Sequence, residues 1–300
     1  MANWVKNSLW ILSILLAGAL LPDFCHKQTK GFEAGKIVPS FTPDPQEDLS
    51  LQAENQEEIS KALNQPFHYL KKGNSAFVFI SEDQKYVIKF LRSSKISPPL
   101  WATWKPVNWL FPSYCQNLIF KKNTQKQIQL TSYKLADGHL KDQTGILYSH
   151  LYTSSHLKTK ITFYDYIKVK HSLPADSTAF LLQKKAEPFC PYFKTLVKQK
   201  KKEEIDALLK QFASLLHERA LKGIFDRDIS PHYNLGILDG KFMAFDLDGL
   251  KPCITAPSSA IDIQRHMLQD GKKMILWLEH IDSEFSFCLE EEIYKLSLLS

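Results

Sequence analysis

Carboxylate and carboxamide side chains concentrate in residues 222–250, where they border short apolar runs. They are Asp226, Asp228, Asn234, Asp246 and Asp248. Oxygen atoms of this kind are the ligands that Mg²⁺ prefers in proteins. A carboxylate can also orient, or take the proton of, a hydroxyl group that receives a phosphoryl group. The stretch therefore predicts a site for a divalent cation and for phosphoryl transfer.

A hairpin and a helix are predicted to position these side chains. Two apolar runs flank Asp239-Gly240, a dipeptide typical of tight hairpin turns. Before them, residues 203–221 carry an apolar stripe with the period of an α-helix. The stripe consists of Ile205, Leu208, Leu209, Phe212, Leu215 and Leu216. The helix is thus predicted to deliver the chain to Asp226.

Three strands joined by two turns are predicted earlier in the chain. They cover residues 67–70, 76–80 and 85–91. Gly73 lies in the first turn, and the alternation of side chains along the third strand places Lys89 on the opposite face from Ile88 and Phe90. Lys89 is thus able to face a ligand while its neighbours hold the sheet.

Further elements complete the predicted fold. Strands are predicted over residues 146–150, 161–169 and 178–183, with a solvated turn over residues 168–171, and helices over residues 260–280 and 283–297.

The order of these elements resembles that of protein kinases and their small-molecule relatives, which carry H-R-D-x-x-x-x-N, a hairpin and D-F-G after a strand lysine in V-A-I-K. The matching segments are Val87-Ile88-Lys89, Asp226-Arg227-Asp228, Asn234 and Asp246-Leu247-Asp248-Gly249. The D-x-D ending is closest to that of bacterial sugar and antibiotic kinases. The chain therefore resembles bacterial small-molecule and lipopolysaccharide-core sugar kinases.

The resemblance implies an α+β, two-lobed kinase-like fold with an antiparallel small-lobe sheet and a reduced helical large lobe. It implies that Asp228 is the catalytic residue that orients the acceptor hydroxyl. Asn234, Asp246 and Asp248 would hold Mg²⁺, with Asp248 alternatively a cap. Lys89 and the turn of Gly73 would contact ATP. The acceptor would be a sugar or a lipid-linked sugar.

Departures from the family pattern support an alternative, a membrane-tethered pseudokinase that binds a nucleotide or a partner without catalysis. Asn234 lies six residues after Asp228, where the family has five, and a single glycine occupies the predicted phosphate loop. Residues 116–136 are the place for the helix whose glutamate pairs with the strand lysine. However, no glutamate occurs between Glu82 and Glu187.

Two other interpretations of the acidic stretch remain. Residues 245–249, FDLDG, also resemble the first motif of haloacid-dehalogenase-type phosphatases, although Leu250 stands where that family has threonine and only 50 residues follow it. Alternatively, the acids serve as turn and cap residues, which suits Asp239-Gly240 well.

Length and composition indicate a globular chain with room for one two-lobed domain or two small ones. Of its 300 residues 44 % are hydrophobic, which is sufficient for a core. Five scattered cysteines without a C-x-x-C pair indicate neither a disulfide framework nor a zinc site. The net charge of +6 suits anionic ligands or a membrane surface and does not indicate a nucleic-acid partner.

The domain organisation follows from composition. The predicted order is a membrane anchor or signal segment at 1–25, a linker at 26–48, a lead-in helix at 49–66, a small lobe with a Trp/Pro-rich insert at 67–187 and a helical large lobe at 188–300. Residues 8–21 are apolar, and we expect an uncleaved anchor with the domain facing the cytoplasm. The alternative is a cleaved signal and an exported domain.

Residues 93–114 contain four prolines and three tryptophans, Trp101, Trp104 and Trp109. The prolines exclude a long helix. The indole rings either pack on the small lobe or face a membrane interface or a substrate, because Trp favours the depth of lipid headgroups. The sequence leaves both possibilities open.

Overall fold

The computed structural model describes residues 10, 18, 20–21, 23–42, 56–226, 229–253, 257 and 259–299. The chain is a mixed α+β protein with a seven-stranded sheet and a helical region. It divides into two compact units, Met1–Ser94 with His150–Phe180 and Lys95–Ser149 with Leu181–Ser300. Most of the predicted membrane segment, and residues 43–55, lie outside the described residues. Among the helices that are described, none is both long enough and apolar enough to cross a membrane.

The strands and helices have the following bounds. The strands are β1 Phe67–Lys72, β2 Ala76–Ser81, β3 Tyr86–Leu91, β4 Ile146–His150, β5 Lys160–Tyr164, β6 Lys170–Pro174, β7 Phe180–Lys184, β8 Glu187–Pro188, β9 Ile224–Asp226, β10 Leu235–Leu238, β11 Lys241–Ala244 and β12 Leu250–Pro252. The α-helices are α1 Gln56–Leu63, α2 Ser93–Ile96, α3 Leu100–Thr103, α4 Lys105–Leu110, α5 Pro112–His139, α6 Lys141–Thr144, α7 Phe189–Lys198, α8 Lys202–Leu221, α9 Ala260–Glu279 and α10 Ser283–Ser297. Residues 95–149 were predicted to share the small lobe with the first strands, but they belong to the second unit.

The sheet strands of the first unit follow the order β3-β2-β1-β5-β6. Strand β2 pairs antiparallel with β1 and β3, and β5 pairs antiparallel with β6. In contrast, β1 and β5 run parallel, with Phe67 opposite Phe163. The prediction of an antiparallel sheet is therefore correct for the hairpins and wrong for this pair. A parallel pair needs a long crossover connection, and residues 73–159 supply it.

Aromatic side chains form the core of the first unit. The ring of Phe79 lies 4.9 Å from that of Phe163, and Phe32 lies 5.0 Å from Phe77 and 5.6 Å from Phe79, measured between centroids. All these rings are buried. Because Phe32 covers one face of β2, this strand is buried on both faces and lacks an exposed polar face.

The segment that carries Phe32 differs from the linker predicted over residues 26–48. The backbone N–H of Val38 donates to the carbonyl of Leu91 at 2.9 Å, and Ile37 and Pro39 form isolated bridges to the unit. Glycine and proline content suggested a linker, but one buried ring and a few backbone hydrogen bonds are enough to dock the segment.

Helices α8, α9 and α10 form most of the core of the second unit. The predicted stripe of α8 is buried throughout. The hydroxyl of Ser259 caps α9 by accepting the N–H of Asp262 at 3.2 Å, and the carboxylate of Asp282 caps α10 by accepting the N–H of Glu284 at 2.9 Å. The predictions of these three helices are confirmed.

The β10–β11 hairpin also agrees with its prediction. Asp239 and Gly240 have φ angles of 50° and 75°, which a two-residue hairpin turn requires. Gly236, in β10, allows a close approach of β8, since a Cβ atom there would lie 2.6 Å from the carbonyl oxygen of Glu187. The hairpin is therefore held at a defined distance from its neighbouring strand.

Candidate functional site

Asn234 and Asp246 lie at the open end of the β10–β11 hairpin, opposite the turn. Asn234 immediately precedes β10, and Asp246 follows β11 by two residues. The carbonyl oxygen of Asn234 accepts the N–H of Phe245 at 2.9 Å and that of Asp246 at 3.5 Å. Asn234 is buried and Asp246 is half-buried. The fold thus brings together two of the residues predicted to hold Mg²⁺.

The chain after Asp246 turns toward β9. The N–H of Asp248 donates to Oδ1 of Asp246 at 3.4 Å. Two residues later, Leu250 pairs with Asp226 in the antiparallel β9–β12 ladder. The end of β9, where the acidic stretch begins, is therefore joined by backbone pairing to the end of the D-L-D-G segment.

Asp228, the predicted catalytic residue, lies outside the described residues, as does Arg227. The turn that follows is described. The carbonyl of Ser230 accepts the N–H of Asn234 at 3.0 Å and that of Tyr233 at 3.3 Å. This turn sets the position of Asn234, whereas the catalytic assignment of Asp228 stays a prediction.

Three neighbouring residues of α5 hold the 246–250 loop. Tyr133 donates from its hydroxyl to Oδ1 of Asp248 at 3.0 Å, and Nε2 of Gln129 donates to the same oxygen at 3.3 Å. The hydroxyl of Ser132 donates to the carbonyl of Leu247 and accepts the N–H of Leu250 at 3.1 Å. Residues spaced three and four apart share one face of a helix, so α5 acts on the loop through a single polar face.

The contact with α5 bears on the prediction that Asp248 binds Mg²⁺. One carboxylate oxygen of Asp248 already accepts two hydrogen bonds. This arrangement fixes the loop through side-chain donors of α5. A ligand role for Asp248 stays a prediction, and it would have to coexist with these bonds.

A buried guanidinium contacts the end of β9. Arg219, at the end of α8, is fully buried, and its Nη1 lies 3.7 Å from Oδ2 of Asp226. Its Nε donates to Oε1 of Gln143 at 3.0 Å. Asp270, on α9, accepts the backbone N–H of Asp226 through Oδ2 at 2.9 Å. These contacts tie the end of β9 to three helices.

The charges of this cluster influence one another. Burial lowers the pKa of the Arg219 guanidinium, while the carboxylates of Asp226 and Asp270 act in the opposite direction. Within the described residues, neither Nη1 nor Nη2 has a hydrogen-bond partner. The carboxylates of Asp226 and Asp270 attract this cation, and its removal would leave them buried without it.

Lys89 lies in the first unit, in the middle of β3. It is half-buried, like Val87, whereas Ile88 and Phe90 are fully buried. The predicted alternation of faces is thus confirmed. Its contact with ATP phosphates stays a prediction.

The turn that contains Gly73 is closed by backbone and side-chain bonds. The N–H of Gly73 donates to the carbonyl of Ala76 at 2.8 Å. Arg92 donates from Nη1 to the carbonyls of Gly73 at 2.7 Å and Asn74 at 3.1 Å. A Cβ atom at Gly73 would lie 3.1 Å from the oxygen of Ala76. The turn is therefore tight, and the role of Gly73 in ATP binding stays a prediction.

The donor set of the site suits a partly hydrated cation. Within the described ranges, no three His, Cys, Asp or Glu side chains converge closely enough to hold a metal ion by themselves. Asn234, Asp246 and Asp248 offer one amide and two carboxylates. Mg²⁺ commonly takes one or two carboxylates and completes its shell with water and substrate phosphates, so these residues fit Mg²⁺ bound together with a nucleotide.

Several residues that surround the candidate site were not predicted from the sequence. Arg219 follows the buried stripe of α8 at helical spacing, three residues after Leu216, which places it on the buried face. The face of α5 formed by Gln129, Ser132 and Tyr133 has the i, i+3, i+4 spacing. Both spacings are present in the sequence, but only the contacts in the structure show which residues these side chains bind.

Comparisons with known proteins give distant likenesses. No protein-family model and no curated protein matches the sequence. The complex of Rv3197 with erythromycin from Mycobacterium tuberculosis matches with a TM-score of 0.33 and 11 % identity, over 77 % of this chain and 55 % of that one. Two structures of WbdD, one described as a bifunctional kinase-methyltransferase, match with TM-scores of 0.35 and 0.38 and identities of 10 % and 12 %.

The WbdD matches cover 75 % and 79 % of this chain but only 43 % and 47 % of those chains. The chain thus spans about half the length of the solved structures it matches. Scores this low assign neither a fold, a family nor an activity to this chain.

Proposed function

We propose that this chain is a kinase-like phosphotransferase that passes the γ-phosphoryl group of ATP to a hydroxyl group of a sugar or a lipid-linked sugar. The observation that carries the proposal is the hydrogen-bonded junction of Asn234 with Phe245 and Asp246 in the second unit. It brings an amide and a carboxylate residue to adjoining strand ends. Such oxygen donors suit Mg²⁺ that arrives with a nucleotide.

Each residue of the set has a role in the proposal. Asn234 and Asp246 would hold Mg²⁺, with Asp248 as a further ligand or as the clamp of the loop. Lys89 and the turn of Gly73 would contact the phosphates of ATP. Bound Mg²⁺ would supply neutralisation of charge on the phosphates. The protein would contribute chiefly positioning and electrostatic stabilisation.

The proposed reaction is a balanced displacement. The acceptor hydroxyl oxygen forms a bond to the γ-phosphorus, while the bond from that phosphorus to the bridging oxygen breaks and ADP leaves. Asp228 would orient the hydroxyl group and accept its proton. The choice of a sugar hydroxyl comes from the resemblance of the D-L-D-G segment to sugar kinases.

A pseudokinase is the second candidate, and α5 provides the observation that favours it. This helix carries no glutamate, and its polar face bonds the 246–250 loop through Gln129, Ser132 and Tyr133. In the kinases that the sequence resembles, a glutamate on the corresponding helix pairs with the strand lysine. As a pseudokinase the chain would bind a nucleotide or a partner without turnover.

Calorimetric titration of the full chain with ATP, with and without Mg²⁺, tests the proposal. The full chain is needed because Phe32 and Val38 are part of the first unit. We expect ATP to bind with Mg²⁺ and binding to weaken at least about tenfold in Asp246→Asn, which corresponds to roughly 1.4 kcal/mol.

Asp239→Asn is the matched control, because the same change falls on an exposed turn residue that Asn also suits. Equal ATP affinity in the two variants would contradict the metal assignment. Measurement of ADP release with a panel of sugars then separates the two candidates. Asp228→Asn should retain ATP binding and lose turnover if the chain is an enzyme, whereas a pseudokinase shows no turnover in either form.

A further inference from the structure

Large apolar side chains point outward from the start of α3 to the start of α5. We call these the tryptophan face: Leu100, Trp101, Trp104, Trp109, Phe111 and Tyr114. The three tryptophans are 46 %, 62 % and 82 % exposed, respectively. The three indole rings thus present a large part of their surface to solvent, which favours the alternative of an interface.

Small residues anchor the tryptophan face from behind. Ala102 and Cys115 are fully buried, while the larger residues beside them are exposed. The N–H of Cys115 donates to the carbonyl of Phe111 at 3.0 Å. The rings of Trp101 and Tyr114 stack with centroids 6.2 Å apart and planes inclined by 13°. The local structure thus presents the aromatic rings outward on a folded base.

The segment that carries the tryptophan face is basic. No aspartate or glutamate occurs from residue 84 to residue 136, whereas five lysines lie between residues 95 and 126. They are Lys95, Lys105, Lys121, Lys122 and Lys126. Nζ of Lys122 donates to the carbonyl of Lys95 at 3.3 Å, and burial together with the charges of Lys95 and Lys121 lowers the pKa of Lys122. Two of the charges that act on Lys122 are therefore like charges.

We propose that the tryptophan face docks on the surface of a bilayer that contains anionic lipids. Tryptophan and tyrosine rings favour the headgroup region, and lysines near an apolar surface are attracted to anionic headgroups. Helices α3 and α4 have four and six residues, too short to span a bilayer but able to lie in its interface. A protein partner would have to supply carboxylates in a matching pattern, whereas an anionic bilayer supplies negative charge without a fixed pattern.

Quenching of tryptophan fluorescence by brominated lipids tests this docking on the full chain. Trp4→Phe and Trp10→Phe remove the tryptophans of the predicted anchor, which leaves three on the tryptophan face and Trp277. The chain is combined with vesicles of phosphatidylcholine, alone or with phosphatidylglycerol, and vesicle-bound protein is isolated by flotation. We expect a blue shift and quenching of emission in the anionic vesicles, and much less in the neutral ones.

Two sets of lysine variants sharpen the test without removing a reporter. Replacement of Lys95, Lys105, Lys121 and Lys126 by Gln should reduce quenching to the level in neutral vesicles. Lys122 is left in place because of its hydrogen bond to the backbone. The same replacement at Lys194, Lys198, Lys241 and Lys272, which are exposed elsewhere in the second unit, is the matched control and should retain quenching.

Three results would overturn the proposal. One is vesicle-bound protein whose remaining tryptophans are unquenched in every vesicle, which would point to a protein partner for this face. Another is quenching that is equal in neutral and anionic vesicles. The third is quenching that persists unchanged after Trp101, Trp104 and Trp109 are replaced by Ser, since it would then come from Trp277.

Discussion

Buried carboxylates are compensated differently in the two units. In the first unit, Oδ1 of Asp165 accepts the N–H groups of Ile167 at 3.0 Å and Val169 at 2.9 Å, and Oδ2 lies 2.9 Å from the ring of His171. In the second unit, Asp226 and Asp270 face Arg219, and Asp270 accepts the N–H of Asp226. Asp165 is compensated by N–H groups of its own turn and by His171, whereas Asp226 and Asp270 share one buried cation, Arg219, which lies on another element.

This difference bears on how each region depends on the whole fold. The partners of Asp165 lie two to six residues away, whereas Asp270 lies 44 residues from Asp226, and Gln143 lies 76 residues from Arg219. A local turn can retain its bonds when neighbouring elements shift. The end of β9, by contrast, keeps its environment only while α8, α9 and α6 are all in place. The candidate site is therefore coupled to the stability of the second unit.

Replacement of the buried cation should have the largest effect. Arg219→Met leaves the carboxylates of Asp226 and Asp270 buried without it, and we expect the free energy of unfolding to fall by about 3–5 kcal/mol. Urea denaturation followed by circular dichroism measures the change. A variant as stable as the parent would mean that the buried guanidinium contributes no net stability. The two units would then not differ in their dependence on a buried cation.

Replacement of Asp by Asn at one buried carboxylate of each unit sharpens the comparison of the two units. Asp226→Asn should cost about 3 kcal/mol because it removes the negative charge opposite Arg219. Asp165→Asn should cost about 1 kcal/mol, since an amide oxygen can still accept the two N–H groups of the turn. Denaturation curves for the pair provide the test. Equal losses would show that the buried cation stabilises a carboxylate no more than the hydrogen bonds of a turn do.

The clamp between α5 and the loop should give the smallest effect. Tyr133→Phe removes one hydroxyl donor to Asp248, and we expect a loss of about 1 kcal/mol in stability. Amide hydrogen exchange should become faster at Asp248 and Leu250, because opening of the loop becomes easier. Tyr294→Phe, at an exposed tyrosine of the same unit, is the control and should change neither quantity.

The parts of the fold that were predicted correctly have patterns contained within one short segment. The stripe of α8, the alternation around Lys89 and the Asp239-Gly240 turn each need only neighbouring residues. Hydrophobic period and turn geometry therefore predicted their structure. Likewise, the proximity of Asn234 and Asp246 followed from the predicted hairpin between them.

The parts that differed depend on partners far along the chain. Phe32 docks on strands that begin at residue 67, and β5 joins β1 only after a long crossover. The predicted turn over residues 168–171 is wrong for Lys170 and His171, which begin β6, because Asp165 closes the turn earlier. The amino-acid composition of a segment does not predict which distant segment it will contact.

The sequence by itself determined the long helices of the second unit, the first three strands and the Asp239-Gly240 turn, and which oxygen-bearing residues stand at the strand ends. It also determined that residues 84–136 lack acids, on which the charge of the tryptophan face depends. Only the tertiary structure decided that Tyr133 holds Asp248, that Arg219 lies between helices as a buried cation, and that the tryptophans point outward. The physical reason is that periodicity and backbone preference act over a few residues. Burial and charge compensation, in contrast, depend on which distant segments meet.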